Sequence, residues 1–211
     1  MLERNKDLRS TLSPNDVLTA LKNGNQRFVK NERLPHDLLE HVNSTSTGQW
    51  PFAAILSCID SRTSAELIFD QGIGDAFSIR IAGNIVNDDI LGSLEFACKA
   101  AGAKLIVVMG HSKCGAVKGA CDHVKMGNLT TLLAKIAPAV ASEQATTTDR
   151  TSQNAAFVQN VADINVRQNV QAILNRSEIL AEMVAKNEIA IIGAMHDIET
   201  GVVTFMDDSL V

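Results

Sequence analysis

A chain of 211 residues, 45% hydrophobic and 20% charged, has the material for one sizeable core and is too apolar to be disordered. Its net charge is −5 and its nineteen Lys and Arg residues are scattered, which excludes the basic stripe that a nucleic-acid partner requires. No apolar run approaches the roughly 20 residues of a bilayer-spanning helix, and the polar start Met1–Arg9 leads into no apolar segment of a secretory signal. No membrane partner and a cytoplasmic location are therefore expected.

In chain order, Ser13-Pro14-Asn15-Asp16 predicts a helix start, with Ser13 as N-cap, proline at the first helical position and an acid three residues after the cap. That helix is expected to run to about Lys30. Asn31 to Gln49 mixes a proline, two histidines, a glycine and a Ser/Thr cluster without periodicity, and reads as a connecting arm. Residues 1–49 are thus an N-terminal helix and arm, and 50–211 an α/β core, within one domain.

From Phe52 the pattern changes to short runs rich in Ile, Val and Phe: Phe52 to Ser57, Ala76 to Ile81 and Lys104 to Gly110. Their length and composition suit buried central strands. Between the second and third, Ile90, Leu91, Leu94 and Ala97 recur at helical spacing before Gly102, which makes a parallel crossover. Further helices are expected at about Gly115 to Met126, Asn128 to Ala141, Ser152 to Asn175 and Glu178 to Asn187, with Ser142 to Asn154 as a surface loop. Glu188 to Met195 is another strand, and Glu199-Thr200-Gly201 before Val202 to Phe205 is a hairpin signal. The fold class is α/β: a mostly parallel central sheet with an antiparallel C-terminal edge strand, flanking helices and an N-terminal helical arm.

Cys58-Ile59-Asp60-Ser61-Arg62 directly follows the first strand, and His111-Ser112-Lys113-Cys114-Gly115 the third. Ligands of open α/β sheets bind at the carboxyl ends of strands, where these two groups can converge. Two thiolates and an imidazole are a recognised donor set for Zn2+, and three protein ligands leave a fourth position open. Asp60 can fill that position, or Arg62 can hold it in a bidentate pair and leave it to orient a zinc-bound water. Taken alone, a buried Cys or a strand-end His is more often a packing group; the joint pattern carries the metal reading. Cys98 and Cys121 lie on helices and read as buried thiols.

The two signatures, Cys-x-Asp-Ser-Arg and His-x-x-Cys-Gly, resemble those of the β-class carbonic anhydrases in order and spacing. The resemblance extends from Gly24-Asn25-Gln26-Arg27-Phe28, through Arg80-Ile81-Ala82-Gly83-Asn84, to Asp197-Ile198-Glu199-Thr200-Gly201. It implies Cys58, His111 and Cys114 as zinc ligands, Asp60 and Arg62 as the catalytic dyad, and Gln49 as a donor to substrate. It also implies a pocket at a dimer interface, hence a homodimer or homotetramer. Some members carry an inhibitory bicarbonate site built from Trp, Arg and Tyr; here Ile55 and His196 stand at the first and third positions and Arg80 alone matches, so that site is not expected.

The implied activity is reversible hydration of carbon dioxide to bicarbonate and a proton by zinc-bound hydroxide. Two thiolates neutralise the metal's charge, so activity is expected to rise towards alkaline pH. Phe52, Phe69, Phe77 and Val86 are candidates for an apolar lining, although core packing is the commoner use of such residues. His36, His41 and His123 are conceivable proton shuttles that nothing in the sequence separates. Two alternatives stay open: a hydrolase of carbonyl sulfide or carbon disulfide on the same fold, and a non-catalytic structural or redox-sensing zinc module.

Overall fold

The structure, a computed structural model, describes residues 6–211. Met1 to Asn5, part of the segment behind the expectation of no signal peptide, lie outside the described residues. Among the described residues no helix is long and apolar enough to cross a membrane.

Among the described residues, five strands form one sheet: β1 Ala53–Ser57, β2 Ala76–Arg80, β3 Leu105–His111, β4 Ala190–His196 and β5 Val203–Met206, in the order β2-β1-β3-β4-β5. The first four are parallel and β5 runs antiparallel to β4. β1 and β3 are buried throughout, so their alternating side chains supply both layers of core. Ala54, Leu56, Ile106 and Val108 pack on one face, Ala53, Ile55, Leu105 and Val107 on the other. β2 corrects the expectation of three buried central strands: it is an edge strand with a half-exposed surface, because the crossover after it passes over β1 and sets β3 on β1's far side.

On the first face lie α5 Asp88–Glu95, which continues through a wider π-type turn at Phe96–Ala100, with α9 Ala155–Arg176 and α10 Glu178–Ala185. α9 sits unusually close to the sheet. A Cβ on Gly110 would stand 2.7 Å from Val166 Cγ2, and one on Gly193 2.8 Å from Val166 Cγ1, so two strand glycines make room for this helix. The other face is covered by α2 Pro14–Val29 and α4 Ala65–Ile68. α2 starts as expected, with a reciprocal capping box between Ser13 and Asp16. Short α1 Lys6–Ser10 precedes it.

The connecting arm, read from the sequence without periodicity, contains a helix, α3 Leu38–Ser44. The Asp37 side chain caps the Glu40 amide and His41 is buried, a local cap and one anchor that the mixed composition hides. The expected helix Gly115 to Met126 ends early as α6 Gly115–Cys121, with His123 left-handed at φ 53. Asn128 to Ala141 is two helices, α7 Gly127–Leu133 and α8 Ala137–Ser142. Pro138 has no N–H to continue the first, and its fixed φ suits the start of the second. The loop 143–154 is tied down by buried Glu143, which accepts from Arg150, Thr146 and Asn160.

Candidate functional site

Parallel strands deliver both signatures to one edge. Cys58 is the first residue past β1, His111 the last of β3, and Cys114 stands immediately before α6. A ligand atom from each lies within 4.8 Å of the others, and all three residues are buried. The two sulfurs are 3.9 Å apart. Around them Ile85, just past the turn after β2, joins Val117, Leu133, Ile136, Phe157 and Val161 from α6 to α9 and their connections in an apolar cluster continuous with the thiols.

The electrostatics fit a divalent cation. Cys114 and then His111 act with backbone amides to hold the Cys58 thiol far below its ordinary range, while Cys58 and then burial push the Cys114 thiol up. Two negative charges so close in an apolar cluster resist ionising together, and a cation between them removes that penalty. His111 Nδ1 lies 3.0 Å from the Ser112 carbonyl, which assigns it the proton, while Nε2 is buried without a hydrogen-bond partner. An acceptor nitrogen so exposed to the cluster is the form in which imidazole binds metal.

Asp60 stands apart from the three-ligand group. Arg62 Nε and Nη2 donate to its two oxygens at 2.9 and 2.8 Å, and the Arg62 amide adds a third bond at 3.0 Å. The guanidinium holds the Asp60 carboxyl below the usual carboxylate range against partial burial. Asp60 Oδ2 remains 3.9 Å from His111 Nε2, so an ionised carboxylate faces the cradle without entering it. Thr63, 1% exposed, and Arg80 brace the loop: Thr63 Oγ1 donates to the Cys58 and Asp60 carbonyls, and Arg80 Nε to the Cys58 carbonyl at 3.0 Å. Ser112 ties the other loop to the hairpin, donating its amide to the His196 carbonyl and accepting the Ile198 amide.

Gln49 does not join this group. It is exposed and precedes β1, whose residues carry the chain about 17 Å from the amino edge to the carboxyl edge of the sheet. Phe52, Phe69 and Val86 are core, and Phe77 packs against Phe96 with ring centres 6.2 Å apart on the edge strand. Ile55 is fully buried within β1. His196 is the register partner of His111; burial, then the neighbouring His111, push its pKa down to about 4, so it is neutral near pH 7. Cys98 and Cys121 are buried as expected, their thiols pushed up to about 12 and 11 by burial. His36 is engaged by Asp70 at 3.0 Å. The sequence reading missed the bracing by Thr63 and Ser112; their signal was only proximity to the signatures. A groove of about 1060 Å³ lies beside Ser112, Asp197, Arg167 and Phe205, and no thiol lines it.

A family model described as carbonic anhydrase matches residues 53–203. Carbonic anhydrase 2 of Mycobacterium tuberculosis is 35% identical over 188 residues, covering 86% of this chain and 87% of that protein. The carbonic anhydrase of Mycolicibacterium smegmatis is 33% identical over 188 residues, with 86% and 88% covered. Among solved structures, a tetrameric β-carbonic anhydrase of Sordaria macrospora aligns with TM-score 0.71 at 24% identity over 92% of this chain and 98% of that one. A Coccomyxa β-carbonic anhydrase in complex with acetazolamide gives TM-score 0.71 at 20% identity, over 93% and 87%. At these identities the structural likeness is one of fold.

Proposed function

The chain belongs to the β-carbonic anhydrase family, and from that premise we propose that its cradle holds zinc through Cys58, His111 and Cys114 and serves the reversible hydration of carbon dioxide to bicarbonate. The convergence of two thiols and an imidazole within 4.8 Å, beside a carboxylate already held by an arginine, carries this reading. Zinc bound there would supply Lewis acidity and bring water to a nucleophilic state near neutral pH.

The protein's own residues do the rest. Arg62 keeps Asp60 ionised and turned aside, so that the carboxylate is an acceptor rather than a fourth ligand. Asp60 then takes a hydrogen bond from water at the cradle and aims an oxygen lone pair at the carbon of the substrate. The apolar cluster behind the thiols suits a small nonpolar substrate and strengthens each charge interaction by excluding bulk water. A structural or thiol-sensing zinc site has no use for such a dyad.

Gln49 contributes to substrate binding in this reading only from a second copy of the chain. The exposed Leu38, Leu39 and Val42 of α3, on the same arm, support a homodimer or a larger even assembly. Unpaired thiols suit a reducing compartment such as the cytoplasm.

Stopped-flow hydration of carbon dioxide across pH, on protein of measured zinc content, tests the assignment. Hydration should depend on zinc, rise towards alkaline pH and collapse in Asp60→Asn and Cys114→Ala. Fully zinc-loaded wild type that is inert throughout would overturn it and redirect the search to carbonyl sulfide and carbon disulfide.

A further inference from the structure

The longest helix, α9, buries two asparagines among its apolar residues. Asn165 and Asn169 are 2% and 8% exposed and stand one turn apart, on a face with Val158, Val161, Ala162, Val166 and Ile173. A primary amide in such surroundings is costly unless its polar atoms are bonded. These are bonded, and to one target, the turn after β2. Asn165 Nδ2 donates to the Gly83 carbonyl at 2.9 Å, and Asn169 Oδ1 accepts the Val86 amide at 2.8 Å. Asn169 Nδ2 also donates to the Asn165 carbonyl at 2.8 Å and to its side-chain oxygen at 3.1 Å, which joins the two amides into one clamp.

The clamped turn has an unusual backbone. Gly83 and Asn84 are both left-handed, at φ 69 and 44, and a Cβ on Gly83 would meet Ile136 Cδ1 at 2.6 Å. In this conformation the Gly83 amide donates to Cys58 Sγ at 3.3 Å. A continuous path therefore runs from the buried face of α9, through the backbone of Gly83, to one sulfur of the cradle.

We propose that Asn165 and Asn169 are positioning residues of the metal centre: by holding the carbonyl side of Gly83 they fix its left-handed backbone, aim its N–H at Cys58 Sγ, and so set the orientation and donor strength of that sulfur. The proposal rests on the metal reading above. An N–H bond to a thiolate lowers the energy of the sulfur's lone pairs and fixes its direction, as other outer partners do for metal-binding histidines. Losing it leaves the sulfur poorly aimed, which weakens metal binding, and makes charge transfer from sulfur to metal easier.

Full-length protein in which cobalt(II) replaces zinc provides the test, with the thiolate-to-cobalt absorption band and chelator competition for cobalt and zinc as readouts. Asn165→Asp keeps the shape but sets a carboxylate against the Gly83 carbonyl. It should bind both metals about tenfold or more weakly, with the band moved to longer wavelength. Val170→Ala, at a fully buried position on the same helix, should lower thermal stability and leave affinity and band alone. A folded Asn165→Asp protein with wild-type affinity and band overturns the proposal, as does a Val170→Ala protein that shifts both equally. If Asn165→Asp does not fold, wild type loaded with cadmium-113 decides: the Gly83 amide proton should show through-bond coupling to the metal, and its absence overturns the proposal. Wild type with no thiolate-to-cobalt band at all overturns instead the metal reading beneath it.

Discussion

The two edges of the sheet hold their buried charged and polar groups differently. At the amino edge, Arg9 donates to the Trp50 and Gly74 carbonyls, pairs with Asp75 and lies 5.1 Å from the centre of the Phe52 ring. A cation and an anion whose side chains are 4% and 1% exposed satisfy one another there. Among the described residues, Ser57 Oγ, Asn84 Nδ2, His111 Nε2 and His196 Nδ1 at the carboxyl edge are buried without a hydrogen-bond partner, as is His36 Nδ1 on the arm. Such atoms are costly and rare. The amino edge holds an ion pair closed within the chain; the carboxyl edge carries its unpaired atoms beside the three candidate ligands.

Substitutions on each edge should therefore fail in different currencies. The largest effect is expected from Cys114→Ala, which removes one sulfur of the cradle: zinc content should fall well below one equivalent and hydration to the uncatalysed background. Full activity in this variant would dissolve the distinction between the edges. Arg9→Leu removes the buried Arg9–Asp75 ion pair and should cost about 3–5 kcal/mol in urea denaturation, with zinc content and hydration per folded molecule near wild type. Lost zinc with unchanged stability would mean that the edges are not separable in this way.

Asp60→Asn sharpens the account of the carboxyl edge, because it keeps the shape of the dyad but removes the charge that Arg62 holds. Zinc should remain while hydration falls about a hundredfold or more; a zinc-loaded variant at wild-type rate would remove Asp60 from the mechanism.

The smallest effect concerns pH. Burial would raise the carboxyl of Asp70, but bonds from Arg27, the Leu34 amide and His36 outweigh it and hold the group below its ordinary value. A depressed carboxyl contributes stability above its unfolded pKa and loses it as pH falls through the folded one. Stability should thus decline below the ordinary carboxylate range, and Asp70→Asn, though less stable near pH 7, should show a shallower decline. An identical slope in both proteins would acquit Asp70.

Much of this was legible from short stretches of chain. The capping box at Ser13 and Asp16, the apolar runs of β1 and β3 and the hairpin around Gly201 depend on neighbours in sequence, and they form where expected. The sequence alone also brought forward the donor set, since Cys58, His111 and Cys114 stand at or just past a strand end or directly before a helix, and strand ends of a parallel sheet share an edge. The α3 helix was missed because its anchor is one buried histidine in a polar segment. β2 was misread because a strand's place in the order depends on which side the crossover lands, and its five residues do not encode that.

Residue types and their spacing thus determined the α/β class, the candidate ligands and the Asp60–Arg62 pair, all consequences of local chemistry and strand direction. Only the tertiary structure decided that Gln49 lies at the far edge from the thiols, that Gly110 and Gly193 admit α9 against the sheet, and that Asn165 reaches the Gly83 carbonyl. The physical reason is distance along the chain. Asn165 and Gly83 are 82 residues apart, and only packing Val166 into the space over two glycines brings a helical amide to the turn that faces Cys58.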